Sequence, residues 1–134
     1  MAEILKFPES EKLTLNLGYV DLGRIDLLVQ DGFYANRSDF IRTAIRNQLQ
    51  RQASDVDRSV VTRSLHLGLL EVRRAELESL KVRGERVAIK VLGLLRIDND
   101  VSGELAASTI DSITLLGSFQ ASEVVKSALA DKLK

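Results

Sequence analysis

Three polar residues at alternate positions near the N terminus, Lys12, Thr14 and Asn16, carry groups that could recognise a nucleic acid. An ammonium, a hydroxyl and an amide can each bond to base edges in the major groove of DNA. The residues between them are leucines, so the run Lys12–Leu17 alternates polar and apolar side chains. This pattern predicts a strand with one buried and one exposed face. Taken alone, it is also typical of an ordinary sheet strand.

Two helices are predicted after this strand. Asp21 is predicted as the N-cap of the first helix, whose apolar residues repeat at helical spacing. Gly32 then stands where a helix favours a left-handed residue after its end. Asn36, with Asp39 three residues later, resembles a capping box at the start of a second helix that runs to about Arg51.

This strand-helix-helix segment cannot be stable as a monomer. A single strand has no partner for its backbone groups, and about 40 residues bury too little surface. The simplest remedy is a second copy, with the two strands paired as an antiparallel ribbon above the helices of both chains. The predicted dimer core consists of Leu13, Leu15, Leu17, Ile25, Leu28, Phe40, Ile41 and Ile45.

The segments 12–17, 25–29 and 31–46 together resemble the ribbon-helix-helix family of bacterial transcriptional regulators and antitoxins. The most specific stretch reads Gly-Phe-Tyr-Ala-Asn-Arg-Ser-Asp-Phe-Ile-Arg, at residues 32–42. The resemblance implies an obligate dimer that binds double-stranded DNA with the outward face of its ribbon.

The resemblance also implies separate roles for bases and phosphates. The ribbon side chains would read the bases, and main-chain amides at the start of the second helix would bind the phosphate backbone. A helix N-terminus is a ready anion site, which supports the second role independently. The residues are Lys12, Thr14 and Asn16 for the bases and Asn36, Arg37 and Ser38 for the phosphates.

A different pattern, an internal repeat, occupies residues 60–134. Three apolar segments align on Gly68, Gly93 and Gly117, which are 25 and 24 residues apart. Two further columns keep the same register. Two residues after each glycine stand Leu70, Leu95 and Phe119, and twelve residues after it stand Leu80, Leu105 and Leu129.

Each repeat predicts a short strand followed by a helix, over 73–80, 101–110 and 122–133. Repeated strand-helix units give parallel strands with right-handed crossovers. We therefore expect an α/β protein: a ribbon-helix-helix domain over 11–52, a linker over 53–59, and a three-unit β/α solenoid-like repeat over 60–134. Its open edges favour self-association into a tetramer or higher oligomer. A capped monomeric domain, or one that binds a small molecule or protein partner, is the alternative.

Composition argues against enzymatic chemistry. The chain has no cysteine and one histidine, His66, so a thiolate site is impossible and a histidine metal site would need symmetry mates. No nucleophile, zinc or phosphate-loop motif is present, and we expect no catalytic residues, metal or cofactor.

Residues 1–10 lack a signal-peptide pattern, and no apolar run is long enough for a membrane span. We expect a cytoplasmic, nucleoid-associated protein.

The leading hypothesis is a DNA-binding transcriptional repressor that acts as a homodimer or higher oligomer. One alternative is an antitoxin whose region after residue 52 binds a toxin protein. Another is an assembly protein whose ribbon serves only to dimerise. The equal numbers of basic and acidic residues, 19 each, predict modest non-specific affinity for DNA.

Overall fold

The structure of the protein, a computed structural model, is described for residues 10–134. Contacts divide this range into two compact units, residues 10–58 and residues 59–134. The sequence predicted that residues 1–10 are not a signal peptide. Of these ten residues, only Ser10 lies within the described range. Between residues 10 and 134, no helix has the length and apolar character needed to cross a membrane.

In the first unit, helix α1 spans Tyr19–Gln30 and has Gly18 as its N-cap, so the prediction of Asp21 as the cap is wrong. Asp21 lies in the first turn, where a carboxylate is favourable beside the positive end of the helix dipole. Gly32 has a φ of +86°, as predicted. The Phe33 amide donates to the Leu28 carbonyl at 3.0 Å, which completes the hydrogen bonding of the helix end.

Helix α2 spans Arg37–Arg51 and is capped as predicted. The Asn36 side chain accepts a hydrogen bond from the Asp39 amide at 2.8 Å. The Asp39 carboxylate in turn accepts one from the Ala35 amide at 3.0 Å, one residue earlier than in a standard capping box. Two orphan donors at the turn are thereby satisfied.

Two segments of this unit differ from expectation or remain predictions. Residues 11–18 form neither helix nor strand in the single chain. A strand is defined by hydrogen bonds to a neighbour, so the ribbon pairing stays a prediction. The expected linker is helical instead: helix α3 spans Ala53–Thr62 and is separated from α2 only by Gln52. Its apolar residues Val56 and Val60 stand at helical spacing, but they lie on either side of the boundary expected after residue 59, and for this reason periodicity did not reveal the helix.

The second unit contains a three-stranded parallel sheet in the order β1-β2-β3, which confirms the predicted parallel pairing. Gly68 pairs with Gly93, and Gly93 pairs with Gly117, so the aligned glycines form one row across the sheet. The strands are β1 (His66–Val72), β2 (Val87–Ile97) and β3 (Ile110–Gln120). Their stacking as a solenoid stays a prediction.

The helices of this unit are shorter than, or displaced from, their predicted ranges. They are α4 (Arg74–Arg83), α5 (Gly103–Thr109) and α6 (Glu123–Ala128), followed by a 3-10 turn, Ala130–Lys132. Ser102 and Ser122 cap α5 and α6 by accepting hydrogen bonds from the amides of Leu105 and Val125. The prediction that the last helix reaches Leu133 is wrong, because Leu133 forms a β-bridge with Ile113.

One face of the sheet packs against the helices to form the core of this unit, in which α5 contacts both α4 and α6. Alternate residues of β2 face this core and are buried. The repeat columns contribute as well, since Leu95 and Leu129 are fully buried and Leu105 is nearly so. The fully buried apolar side chains are Leu77, Val91, Leu95, Ile97, Ala106, Ile110, Ile113, Val125 and Leu129.

Two cations hold the C-terminal end of α5. Arg86 Nη2 donates to the Ala107 carbonyl at 3.2 Å and to the Ile110 carbonyl at 3.4 Å. Lys132 Nζ donates to the same two carbonyls, at 2.6 Å for Ile110. Positive charges are favourable at this negative end of the helix dipole, and the last carbonyls need partners. Lys132, in the 3-10 turn after α6, therefore stabilises α5, the helix of the second repeat unit.

Candidate nucleic-acid interface

The first unit contains an open apolar groove of about 810 Å³. It is formed by the segment before α1 together with one side of α1 and of α2. All eight residues predicted for a dimer core line it, with Ala44. The lining also includes five polar residues: Thr14, Asp21, Arg24, Ser38 and Arg42. The structure thus brings together side chains that lie as far apart in the chain as residues 13 and 45.

The leucines of this groove are uncovered in the single chain. Leu13 is 84% exposed and Leu15 is 62% exposed, whereas Ile25 on α1 is buried beneath the groove. Contiguous apolar surface of this kind on a folded unit marks a protein interface. The groove therefore has the size and composition of a contact that a second chain would complete.

The three residues predicted to read bases, Lys12, Thr14 and Asn16, lie on the segment that precedes α1 and are all exposed. Thr14 also contributes to the rim of the groove. Their side chains can therefore reach an external ligand. Their arrangement as the outer face of a ribbon depends on a second chain, so the base-reading role stays a prediction.

The three residues predicted to bind phosphate lie at the start of α2 and are exposed. Asn36 is the N-cap and its side chain is already bonded to the Asp39 amide. The first amides of the helix, those of Arg37 and Ser38, have no acceptor within an α-helix, and the helix dipole adds positive charge there. This geometry is that of an anion site. The Asp39 carboxylate in the same turn partly offsets the positive charge.

The Arg37 side chain does not point freely to solvent but forms a two-pronged ion pair with Asp26 of α1. The Arg37 Nε–Asp26 Oδ1 distance is 2.7 Å, and the Nη2–Oδ2 distance is 2.8 Å. The hydrogen bonds from Arg37 hold the pKa of the Asp26 carboxyl below its usual range, and the same contact raises the pKa of Arg37. Arg37 thus ties α1 to α2 through its side chain, and the phosphate contact of its main-chain amide stays a prediction.

Three residues of this region were missing from the sequence prediction. Asp26 is the partner of Arg37, and Arg24 and Arg42 line the groove. Asp26 and Arg37 are eleven residues apart on different helices, so no helical spacing rule connects them. Only the turn between the helices brings them together.

The described residues show no cluster suited to a metal. Within residues 10–134, no group of three His, Asp or Glu side chains is placed to hold an ion. The ring of His66 lies at the start of β1, with its Nε2 atom 3.1 Å from the Leu69 carbonyl oxygen. This contact is local and within the second unit.

Comparison with known proteins identifies one family. A family model described as the Ribbon-Helix-Helix transcriptional regulator family matches residues 8–126. No curated protein and no solved structure matches the chain. The family match extends well beyond the first unit and includes all three strands of the second.

Proposed function

The chain belongs to the ribbon-helix-helix transcriptional regulator family, a non-enzymatic family of DNA-binding proteins that dimerise, and we propose that it is a sequence-specific repressor acting as a homodimer or higher oligomer. One observation carries this proposal: eight apolar residues from three separate segments converge on a single open groove. Segment 12–17, which supplies three of these eight residues, also carries three exposed polar residues, Lys12, Thr14 and Asn16, which we call the polar trio. A second copy would cover the groove and align the two trios.

In the proposed dimer, the segments 12–17 of the two chains pair as an antiparallel ribbon. Leu13, Leu15 and Leu17 of each chain then face the groove and become buried. The alternate side chains must point to the opposite face, because successive residues of a strand alternate. A two-stranded ribbon fits the major groove of DNA, where these side chains can bond to base edges.

Phosphate contacts would set the position of this ribbon on the duplex. The amides of Arg37 and Ser38 at the start of α2 are the groups we assign to this role, with Asn36 as the cap that holds the turn. Such contacts fix the register and orientation of a protein on DNA, while contacts to base edges select the sequence. The cytoplasmic nucleoid is the location at which this function would operate.

Residues 60–134 are proposed to associate with residues 60–134 of other chains and so produce a tetramer or higher oligomer. The sheet supports this proposal because its two edges are unequal. The β3 edge is partly covered, since the Lys134 amide donates to the Ile113 carbonyl at 2.8 Å and Leu133 bridges the same residue. The β1 edge is the end of the sheet within the described residues. A module that senses a small molecule or a protein partner is the competing proposal.

The antitoxin alternative has less support. A toxin-binding tail is usually flexible and folds on its partner. Residues 59–134 instead form a compact unit with a buried core and a three-stranded sheet. Co-purification of a small toxic protein with the native chain would favour the antitoxin over the repressor.

The test of the proposed function is a binding titration with variants of the polar trio. Preferred sequences are first selected from a random DNA pool, and the affinity of the full chain for them is measured by gel shift. Thr14→Ala and Asn16→Ala should each weaken specific binding by about 1–3 kcal/mol for each lost base contact. Asn47→Ala, an exposed residue of α2 outside the groove, is the matched control. Normal operator binding by both trio variants would rule out the ribbon assignment.

A further inference from the structure

The second unit leaves one face of its parallel sheet without helices. The buried residues of β2 alternate with exposed or half-buried ones, and the latter form the opposite face. Two rows of leucines cross this face in register: Leu67, Leu92 and Leu116 in one row, and Leu69 beside Leu94 in the next. We call the surface formed by these five residues the leucine face.

The leucine face is uncovered to an extent that is unusual for a parallel sheet. Leu67, Leu69 and Leu116 are 61%, 49% and 48% exposed. Parallel sheets are normally covered on both faces, because crossover helices or other layers pack on each. Among residues 10–134, helices cover the α4–α6 side and no element covers the leucine face, so a contiguous apolar surface meets solvent.

The charges around this face are compatible with a second copy of the same surface. At the carboxyl end of the strands, Glu71, Arg96 and Gln120 form a row in register. Arg96 Nη1 lies 3.1 Å from the Glu71 carboxylate, and Arg96 Nε lies 3.4 Å from the Gln120 amide oxygen. Charge at this end is therefore compensated within one chain. Lys90 lies at the opposite end, where a flexible side chain can keep its ammonium in solvent.

We infer that the leucine face packs against the leucine face of a second copy of this chain. A surface of leucines is complementary to itself, as a two-fold contact requires. The inference rests on the self-association proposed for residues 60–134 and names a surface for it. The contact joins the two chains of one N-terminal dimer, so it adds a second contact to that dimer and does not by itself produce a tetramer. The contact uses the face of the sheet and leaves the β1 edge open for pairing with a further chain.

The size of the face explains why the partner is another copy of this chain. Three strands over the seven positions of β1 outline roughly 300 Å², or about 600–700 Å² for two copies. Stable association of free proteins usually needs about 1,200–2,000 Å². Chains already held together through their N-terminal grooves are at high effective concentration, so a smaller second contact suffices. A foreign partner would lack this advantage.

The test uses the absence of cysteine from the chain. Leu92→Cys places a single thiol at the centre of the leucine face, and Leu94→Cys is a second reporter. The full chain is treated with a short bis-maleimide and separated on a denaturing gel. We expect a band of two linked chains for both reporters. Val82→Cys, at an exposed apolar residue of α4, should give no such band.

A second substitution separates a specific contact from chance collision. Leu67→Glu in the Leu92→Cys chain should abolish the linked band, whereas Val82→Glu in the same chain should leave it unchanged. Equal bands from Leu92→Cys and Val82→Cys, or a band that survives Leu67→Glu, would overturn the inference. So would the absence of any band, as expected if another protein covers the face.

The molecular mass and the DNA affinity of the same samples are also measured. They distinguish a failure of the leucine-face contact from a failure of the proposed function. A chain that is dimeric and binds DNA but gives no linked band refutes the leucine-face contact alone. A chain that gives the band but binds no DNA refutes the proposed regulator and leaves the contact in place.

Discussion

The backbone of Gly93 lies so close to that of Gly68 in the neighbouring strand that a Cβ at position 93 would overlap the Gly68 carbonyl oxygen. Gly117 stands in the same relation to Gly93. All three glycines have φ between +112° and +138°, a region that side chains with a Cβ rarely adopt. Gly93 and Gly117 are therefore required twice, by conformation and by the close approach of the strands, whereas Gly68 is required by conformation alone.

The substitution Gly93→Ala should destabilise the second unit severely. It combines a strained φ with a clash against backbone, and we expect a loss on the order of 2–5 kcal/mol in the free energy of unfolding. Native-state hydrogen exchange of the β2 amides measures this unit separately from residues 10–58.

The matched control is Gly68→Ala, because a Cβ at position 68 meets nothing within 4 Å although φ is +112°. Only the conformational strain remains there, at about 1–3 kcal/mol. Equal losses for Gly93→Ala and Gly68→Ala would show that the close approach of the strands contributes nothing.

Leu15→Asp should dissociate the N-terminal dimer. It would place a charge in the apolar groove, where the second chain would have to bury it. We expect the dimer dissociation constant to rise by a factor on the order of 100, measured by sedimentation of the full chain. Val61→Asp makes the same kind of change at an exposed position of α3 outside the groove and should leave the mass unaltered. An unchanged mass for Leu15→Asp would contradict the groove as a dimer contact.

The Asp26–Arg37 pair predicts a defined effect of pH. Because Arg37 lowers the pKa of Asp26 in the folded state, the pair stabilises the fold above the unfolded-state pKa of Asp26. That contribution is lost as the pH falls through the lower, folded-state pKa. Carboxyl NMR titration should give Asp26 a midpoint below the ordinary value of about 3.9.

Arg37→Gln should return the Asp26 midpoint toward its ordinary value. Arg24→Gln removes a cation from the same helix without touching this pair and should leave the midpoint in place. If Arg37→Gln did not move the midpoint, the ion pair would not exist in solution.

The balanced charge of the chain predicts a weak dependence of DNA binding on salt. We expect each dimer to contact few phosphates, so the plot of log affinity against log salt concentration should have a slope of magnitude roughly 2–4. Lys12→Gln should reduce that magnitude by about 1 per chain, while Lys81→Gln on α4 should not change it. A steep slope that Lys12→Gln leaves unchanged would show that residues other than Lys12 make the cationic contacts with DNA.

Local patterns were enough to predict several elements of the fold. Asn36 and Asp39 define the start of α2 through bonds to amides within a few residues, and such bonds need no tertiary partner. The glycine repeat predicted parallel strands in one register, because equal spacing makes equivalent residues pair. The start of α1 was missed because Gly18 caps it without a side-chain bond. Helix α3 was missed because the helical spacing of Val56 and Val60 crosses the domain boundary expected after residue 59.

The sequence by itself determined which residues belong together: alternating leucines, the glycine column, and the capped helix starts. Each follows from periodicity or from hydrogen bonds between near neighbours. Only the tertiary structure decided which partners meet across the chain. Asp26 reaches Arg37 because the turn after α1 folds α2 back beside it. Leu67 and Leu116 remain exposed, and Leu92 between them is only half-buried, because the crossover helices pack on the opposite face of the sheet. Alternation along a strand separates two faces, but packing chooses the one that becomes the core.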